Sequence, residues 1–405
     1  MRVSLFPICG LCAATFLAAQ ASADSALLWR NSQTGQLWAH QYQGHAPATS
    51  QAFAEVGDLG WQIAGTGDLD GDGDDDIVWR HQATGLNWAY LVGGLGIDSS
   101  ARINQVADSA WIIAGVGDFN GDGNADLLWR NTSTGLNWMY FMNGQNIQST
   151  QQLNSIADQS WQVAGIADLN GDDTDDIIWR NSATGLNWAY IMSTGQIATS
   201  QRINLVAGEQ WQIEAIEDFN ADGNADLLWR NQQDGETWLY RMNGASIVAV
   251  EHVARVPSDW VVASVGDRNG DNMADILWRN TASHVVWSYL MNGAQITDSK
   301  PANVTVTDQW QAVATLSSSS PELTTPTAQA TSTAGEISVS WSNAYAHSYR
   351  VLYWRGNEKP GEFKTSLRTA TLPVTVAGSY TLIVEAYDSL GNSLFSTPVT
   401  VEVSL

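Results

Sequence analysis

Five nine-residue stretches carry oxygen-bearing side chains at the same places: DLDGDGDDD from Asp68, DFNGDGNAD from Asp118, DLNGDDTDD from Asp168, DFNADGNAD from Asp218 and DRNGDNMAD from Asp267. Positions 1, 3, 5 and 9 are Asp68, Asp70, Asp72 and Asp76 in the first and Asp118, Asn120, Asp122 and Asp126 in the second. They are Asp168, Asn170, Asp172 and Asp176 in the third, Asp218, Asn220, Asp222 and Asp226 in the fourth, and Asp267, Asn269, Asp271 and Asp275 in the fifth. Such a loop can aim alternate side chains, and a backbone carbonyl near position 7, at one centre. That is the shell a hard divalent cation needs, and calcium fits better than magnesium, which keeps its waters and wants a stricter octahedron. Glycine at position 6 (Gly73, Gly123, Gly223) permits the reversal that returns the last aspartate. Asp173 and Asn272 stand there in the third and fifth loops, and asparagine tolerates the left-handed conformation, so Asp173 is the larger departure. Turn chemistry alone favours Asp, Asn and Gly but does not demand Asp or Asn at four fixed positions in five copies. The loops hold twenty of the 42 acidic residues, whose mutual repulsion calls for a counter-ion. The expectation is up to five bound Ca2+.

The loops recur because the chain repeats. Copies begin at Trp61, Trp111, Trp161, Trp211 and Trp260, at spacings of 50, 50, 50 and 49 residues. Each reads as four short strands, in the first copy WQIAG, DIVWR, NWAYL and a weaker run such as 102–106. Thr84-Gly85, Thr134-Gly135 and Thr184-Gly185 mark one hairpin, while Asn143-Gly144, Asn243-Gly244 and Asn292-Gly293 mark another. Four strands in a repeat of this length make a propeller blade. The array opens in mid-repeat with ALLWRNSQTGQLWAHQY and ends on a lone first strand, WQAVATL from Trp310. Pairing of these two ends would close the ring as a sixth blade and remove an open edge. The expected fold is all-β, a six-bladed propeller over 24–316. Ser317 and Ala26 fill the first and last ligand positions of the sixth blade, which should bind no ion.

Residues 1–23 combine one early arginine, an apolar run and Ala21-Ser22-Ala23, as in a signal peptide that directs export. Both cysteines, Cys9 and Cys12, lie inside it, so the mature chain would hold no thiol. The expected location is secreted, extracellular or cell-surface, with the periplasm open. No later apolar run reaches the roughly 18 residues of a membrane span. A formal charge of −24 and three lysines, Lys300, Lys359 and Lys364, argue against nucleic acid as a partner. Residues 317–332 are rich in Ser, Thr, Pro and Ala and read as a linker. Residues 333–405 alternate as half-buried strands, with Trp341 early and Tyr380 late, and resemble a fibronectin type III β-sandwich, with Ig-like alternatives open.

The D-x-[DN]-x-D-G-x-x-D loop between the first two strands of a blade resembles the calcium loops of FG-GAP and VCBS repeat proteins, among them the integrin α-subunit propeller and fungal lectins. The resemblance covers about 290 of the 405 residues. It implies structural calcium and carbohydrate or extracellular protein ligands, held by rim loops or in grooves between blades.

Twenty tryptophans suggest sugar stacking, but two sets recur in register: Trp79, Trp129, Trp179, Trp229 and Trp278, then Trp88, Trp138, Trp188, Trp238 and Trp287. A residue present in every blade is read first as packing. The same holds for Arg30, Arg80, Arg130, Arg180, Arg230 and Arg279, expected to pair with carboxylates or carbonyls. Residues that break the repeat are Glu214, Glu217, Glu236, Arg241, His252, Arg255, Arg268 and His284, with His40 and His81. Surface drift explains them, or they assemble one polar site for acid–base chemistry. No nucleophile elbow, zinc motif or phosphate loop is present. The leading reading is a calcium-stabilised binding propeller. Its rivals are a secreted polysaccharide lyase or glycosidase and a passive structural or adhesion unit.

Overall fold

The computed structural model describes residues 25–317, 326–333, 335–341, 348–356, 358, 360–365, 369–387 and 393–404. Residues 1–23, expected to direct export, and residues 318–325 of the expected linker lie outside the described residues. The described chain is all-β and divides into two compact units.

The larger unit contains six four-stranded antiparallel sheets, with strands a to d in sheet order. Blade 1 is Trp61–Gly67, Asp76–His81, Leu86–Gly93 and Gly96–Gln105. Blade 2 is Trp111–Gly117, Asp126–Asn131, Leu136–Asn143 and Asn146–Ser155. Blade 3 is Trp161–Ala167, Asp176–Asn181, Leu186–Ser193 and Gln196–Leu205. Blade 4 is Trp211–Glu217, Asp226–Asn231, Glu236–Asn243 and Ser246–Arg255. Blade 5 is Trp260–Gly266, Asp275–Asn280, Val285–Asn292 and Gln295–Thr305. Blade 6 joins the two ends: Trp310–Leu316 pairs with Ala26–Asn31, Ala26 opposite Leu316 and Asn31 opposite Trp310, followed by Gln36–Gln43 and Ala46–Glu55. Each strand a packs on the strands a of both neighbouring blades, so the cycle is unbroken. The ring is a six-bladed β-propeller.

Sequence patterns follow position in the blade. Strand b is buried along almost its whole length around an apolar centre such as Ile77-Val78-Trp79, whereas strand c alternates buried and partly exposed residues. Strand d is longer than the sequence suggests, running in blade 1 from Gly96 rather than from residue 102. It bonds to one neighbour only and mostly faces solvent, so its residues carry no apolar signature. Pairing of Gly93 with Gly96 across a turn with Gly94 at φ +59° sets its register.

The six strand-b tryptophans, Trp29 included, are almost completely buried. Each receives the strand-b arginine of the preceding blade over its ring. Arg30 lies over Trp79, Arg80 over Trp129, Arg130 over Trp179, Arg180 over Trp229, Arg230 over Trp278 and Arg279 over Trp29, at 4.8–5.7 Å. The guanidinium groups donate to backbone carbonyls across the seam. Arg80 bonds Val106 O at 3.0 Å and Trp111 O at 2.9 Å, and Arg230 bonds Val256 O and Trp260 O, both at 2.9 Å. These arginines bind the ring to itself. The strand-c tryptophans are less enclosed, and Trp38 is 37% exposed.

The smaller unit packs two sheets. One contains Ala328–Thr333, Glu336–Trp341 and Thr369–Pro373. The other contains Gly361–Thr365, Ser348–Arg355, Gly378–Tyr387 and Ser393–Phe395, with Val399–Val403 also paired to Gly378–Tyr387. Trp341, Val351, Leu372, Leu382 and Val384 fill the space between them. The Tyr380 hydroxyl donates to Val376 O at 2.9 Å.

Candidate metal centres in the aspartate loops

Each acidic loop joins strand a to strand b, so the position 9 aspartate is also the first residue of strand b, opposite the last residue of strand a. Its side chain is buried completely in all five blades. Its Oδ1 accepts the N–H of a strand-c residue, Val92, Met142, Met192, Met242 or Met291, at 2.8–2.9 Å. Position 1 holds the loop's own backbone. Asp168 accepts N–H groups of Asn170, Gly171 and Asp173, and Asp267 those of Asn269, Gly270 and Asn272, at 2.7–3.0 Å. Asp118 and Asp218 do the same. The position 5 aspartate accepts the N–H of position 7 at 2.9–3.0 Å in every loop. Positions 3 and 5 are the accessible ones, so each loop grades from a buried carboxylate at its floor to open side chains at its mouth.

The reversal at position 6 occurs in all five loops, at φ +95° for Gly73, +83° for Gly123, +60° for Asp173, +82° for Gly223 and +62° for Asn272. Asp173 therefore makes the same turn as the glycines. Position 4 is also left-handed, at Gly71, Gly121, Gly171, Ala221 and Gly270, a requirement that sequence reading missed although four of the five residues are glycine. Ala221 adopts φ +58° with a side chain present.

The electrostatics ask for a cation. Asp68, Asp70 and Asp76 bring carboxylate oxygens within 4.8 Å of one another. In loops two to five, no lysine or arginine among the described residues forms an ion pair with a carboxylate at positions 1, 5 or 9. Burial, reinforced by neighbouring loop carboxylates, pushes the floor carboxyl up to about 8 in Asp126 and Asp176 and to about 7 in Asp226. Asp76 is raised well above the ordinary range for the same reason. In Asp275, burial again leads, up to about 7, and the nearby Arg268 charge opposes it. Oδ2 of the floor aspartate accepts the position 2 N–H in loops one, three and five, at 2.8–3.1 Å, whereas Oδ2 of Asp226 is buried with the Phe219 N–H beside it but no well-formed hydrogen bond. A buried carboxylate oxygen so weakly satisfied fits an ion-binding floor. In loops three to five the position 3 asparagine instead donates to the position 5 aspartate at 2.9–3.0 Å.

The loops also stitch the ring, which the sequence did not disclose. The N–H of position 8 donates to the position 1 carbonyl of the preceding blade: Ala125 to Asp68, Asp175 to Asp118, Ala225 to Asp168 and Ala274 to Asp218, at 2.5–2.8 Å. At the closure Asp75 donates to Ser317 O at 2.9 Å, and the Ser25 hydroxyl reaches Asp267 O at 3.1 Å. The position 2 carbonyl of one loop accepts from a hairpin glycine of the next blade, as in Gly144 to Leu69 at 2.6 Å. The loops are therefore rivets between blades.

The residues that break the repeat do not form one cluster. Glu236 accepts His252 Nε2 at 2.8 Å with Arg255 3.8 Å away, and Arg241 pairs with Glu251 at 2.8 Å, on the exposed outer hairpin of blade 4. His284 faces Asp308 at 3.4 Å and His81, at the end of its strand, faces Asp58 at 3.1 Å, two separate pairs. Glu214 bonds Gln232, Glu217 is buried at the end of strand a, and Arg268 is buried 4.6 Å from the Tyr42 ring.

Residues 118–179 and 218–278 match the FG-GAP-like repeat and include loops two to five. No curated protein matches the chain. Among solved structures, a chain of the nidogen/laminin complex is 11% identical, with 72% of this chain and 98% of that one covered and a TM-score of 0.49. The calcium-binding protein regucalcin of Agrobacterium tumefaciens is 11% identical, with 64% and 93% covered and a TM-score of 0.34. No helix among the described residues is long and apolar enough to cross a membrane. The protein is a six-bladed β-propeller that carries FG-GAP-like repeats.

Proposed function

We propose that the protein is an exported binding propeller, stabilised by calcium in up to five aspartate loops, that presents the ring to a carbohydrate or extracellular protein ligand. The observation that carries this reading is the repeated loop, with a floor carboxylate buried beside like charges in every copy. Asp68, Asp70, Asp72 and Asp76, and their counterparts in the other loops, would hold the ion. Calcium would supply the charge that lets the floor carboxylate ionise without leaving its strand-c hydrogen bond. Affinity in the roughly 0.1–1 mM range of extracellular modules suits a structural role. The second unit, over 333–405, is a fibronectin type III-like module. A three-strand sheet facing a four-to-five-strand sheet and the Tyr380 hydroxyl bonded to Val376 O support that reading.

The test is calorimetry of the full chain in calcium and in EDTA. Calcium should raise the melting of the propeller and leave the second transition in place. A propeller transition indifferent to calcium would refute the reading.

A further inference from the structure

The last residue of strand a and position 8 of the loop that follows stand at the inner edge of each blade, where the strands a pack on one another round the ring. A Cβ added at Gly67 would fall 2.8 Å from Ala125 Cβ, and one at Gly117 2.5 Å from Asp175 Oδ2. The strand end of one blade therefore points at position 8 of the next. Strand a ends in glycine or alanine in blades 1, 2, 3 and 5 and in Leu316 in blade 6, whereas blade 4 ends in Glu217. Position 8 is alanine or serine in four blades and acidic in two, as Asp75 and Asp175. These three acids lie outside the ligand positions of the loops.

Two of them have a structural task. Asp75 Oδ2 accepts the Ser317 N–H at 2.7 Å and Asp175 Oδ2 accepts the Asp118 N–H at 2.8 Å, each beside the backbone bond of the same seam. Glu217 has no such task. It is 8% exposed, and among the described residues no hydrogen bond or ion pair holds its carboxylate. Burial pushes this carboxyl well above its ordinary range, and the charges of Asp75, Asp175 and Asp218 add to the effect. Blade 1, which carries Asp75, is diametrically opposite blade 4, so Asp75 acts on Glu217 across the axis of the ring. Like charges turned inward without a base are costly to bury, and a cation among them removes that cost.

The spacing selects the kind of cation. Among the described residues only Asp68, Asp70 and Asp76 bring acidic oxygens within 4.8 Å of one another, so the axial three are set wider than a direct ligand shell. Calcium takes six to eight oxygens at close range, whereas magnesium keeps several waters and binds through one or two carboxylates. A single unengaged carboxylate with two more acids at longer range suits the second habit.

We propose that Glu217, with Asp75 and Asp175 around it, holds one hydrated magnesium ion on the axis of the propeller. Glu217 would bind the ion directly, and its waters would reach the two aspartates. This site is separate from the five calcium loops and from any ligand the ring presents.

The test is isothermal titration calorimetry of magnesium into the full-length protein, stripped with EDTA and exchanged into chelator-free buffer. Wild type is compared with Glu217→Gln, which keeps the shape, and with Glu217→Ala, which places there the residue type of Ala167 in blade 3. Both variants should bind one magnesium fewer per chain, or bind it at least about tenfold more weakly, equivalent to about 1.4 kcal/mol. Their calcium-induced rise in melting temperature should persist, because that rise reports on the loops. Absence of magnesium binding by wild type overturns the proposal, as do identical titrations of all three proteins, which would mean that the axial acids are protonated. Loss of the calcium response together with the magnesium in Glu217→Gln would assign Glu217 to the adjoining fourth loop and also overturn it. A wild-type melt indifferent to calcium, with the axial magnesium still bound and still lost in both variants, would refute the calcium-loop reading and leave the axial site standing.

Discussion

Replacing Asp126 with asparagine distinguishes an ion ligand from a turn residue, because the two roles predict different responses to calcium. The Asp126 side chain is fully buried, accepts Met142 N at 2.8 Å, and burial pushes its carboxyl up to about 8. In the metal-free protein the fold therefore keeps a proton that the unfolded chain gives up. Between the ordinary value of 3.8 and about 8 the folded state binds more protons, so stability falls as pH rises through that window. At about 1.4 kcal/mol per unit, the penalty is on the order of 4 kcal/mol at neutral pH. Asparagine removes that penalty and sacrifices roughly one hydrogen bond, worth about 1 kcal/mol. In EDTA at pH 7, Asp126→Asn should melt at or above wild type. With calcium at a hundredfold excess over Kd, an intact loop gains about 2.7 kcal/mol that the variant forfeits. At about 2–4 °C per kcal/mol for a domain of this size, the calcium-induced rise in Tm should shrink by roughly 5–10 °C. Differential scanning calorimetry of both proteins with and without calcium measures this directly. An equal loss of Tm in EDTA and in calcium would show that the carboxylate is only a strand-end acceptor.

Arg230→Lys should lower stability by about 2–4 kcal/mol, read from the urea midpoint. One ammonium cannot replace a buried guanidinium that bonds Val256 O, Pro257 O and Trp260 O and lies 4.8 Å from the Trp278 ring centre. Ala221→Gly should raise Tm with or without calcium, by the equivalent of about 1 kcal/mol, because Ala221 sits at φ +58° where the other loops have glycine. A loss of stability in that variant would mean that the alanine methyl packs usefully.

The repeat length, the strand count per blade and closure by the two ends of the propeller were legible in the sequence, because each follows from local pattern copied many times. The five loops were legible for the same reason: Asp118, Asn120, Asp122 and Asp126 gain meaning from four siblings in register. Strand d was only half visible, since an outermost strand facing water has no apolar code to read. Asp173 looked like a misfit at position 6, but it makes the left-handed turn and keeps its N–H bonded to Asp168.

What local pattern could not supply are the relations between blades. Arg80 follows Trp79 in the chain, yet its ring partner is Trp129, one blade away, and that pairing exists only when the blades lie side by side. Position 8 lies outside the expected ligand set, and its N–H bonds the preceding blade's loop only once the blades stand side by side. His40 reads as one more substitution, and it lines a cavity only because Val304 arrives from the far end of the propeller to face it. The sequence determines the blade because strand pairing and turns are short-range. The ring, its seams and the gap at the closing seam are decided by packing between blades, whose partners lie about fifty positions apart, as Arg80 and Trp129 do, or, at the closure, about 250 apart, as Trp29 and Arg279 do.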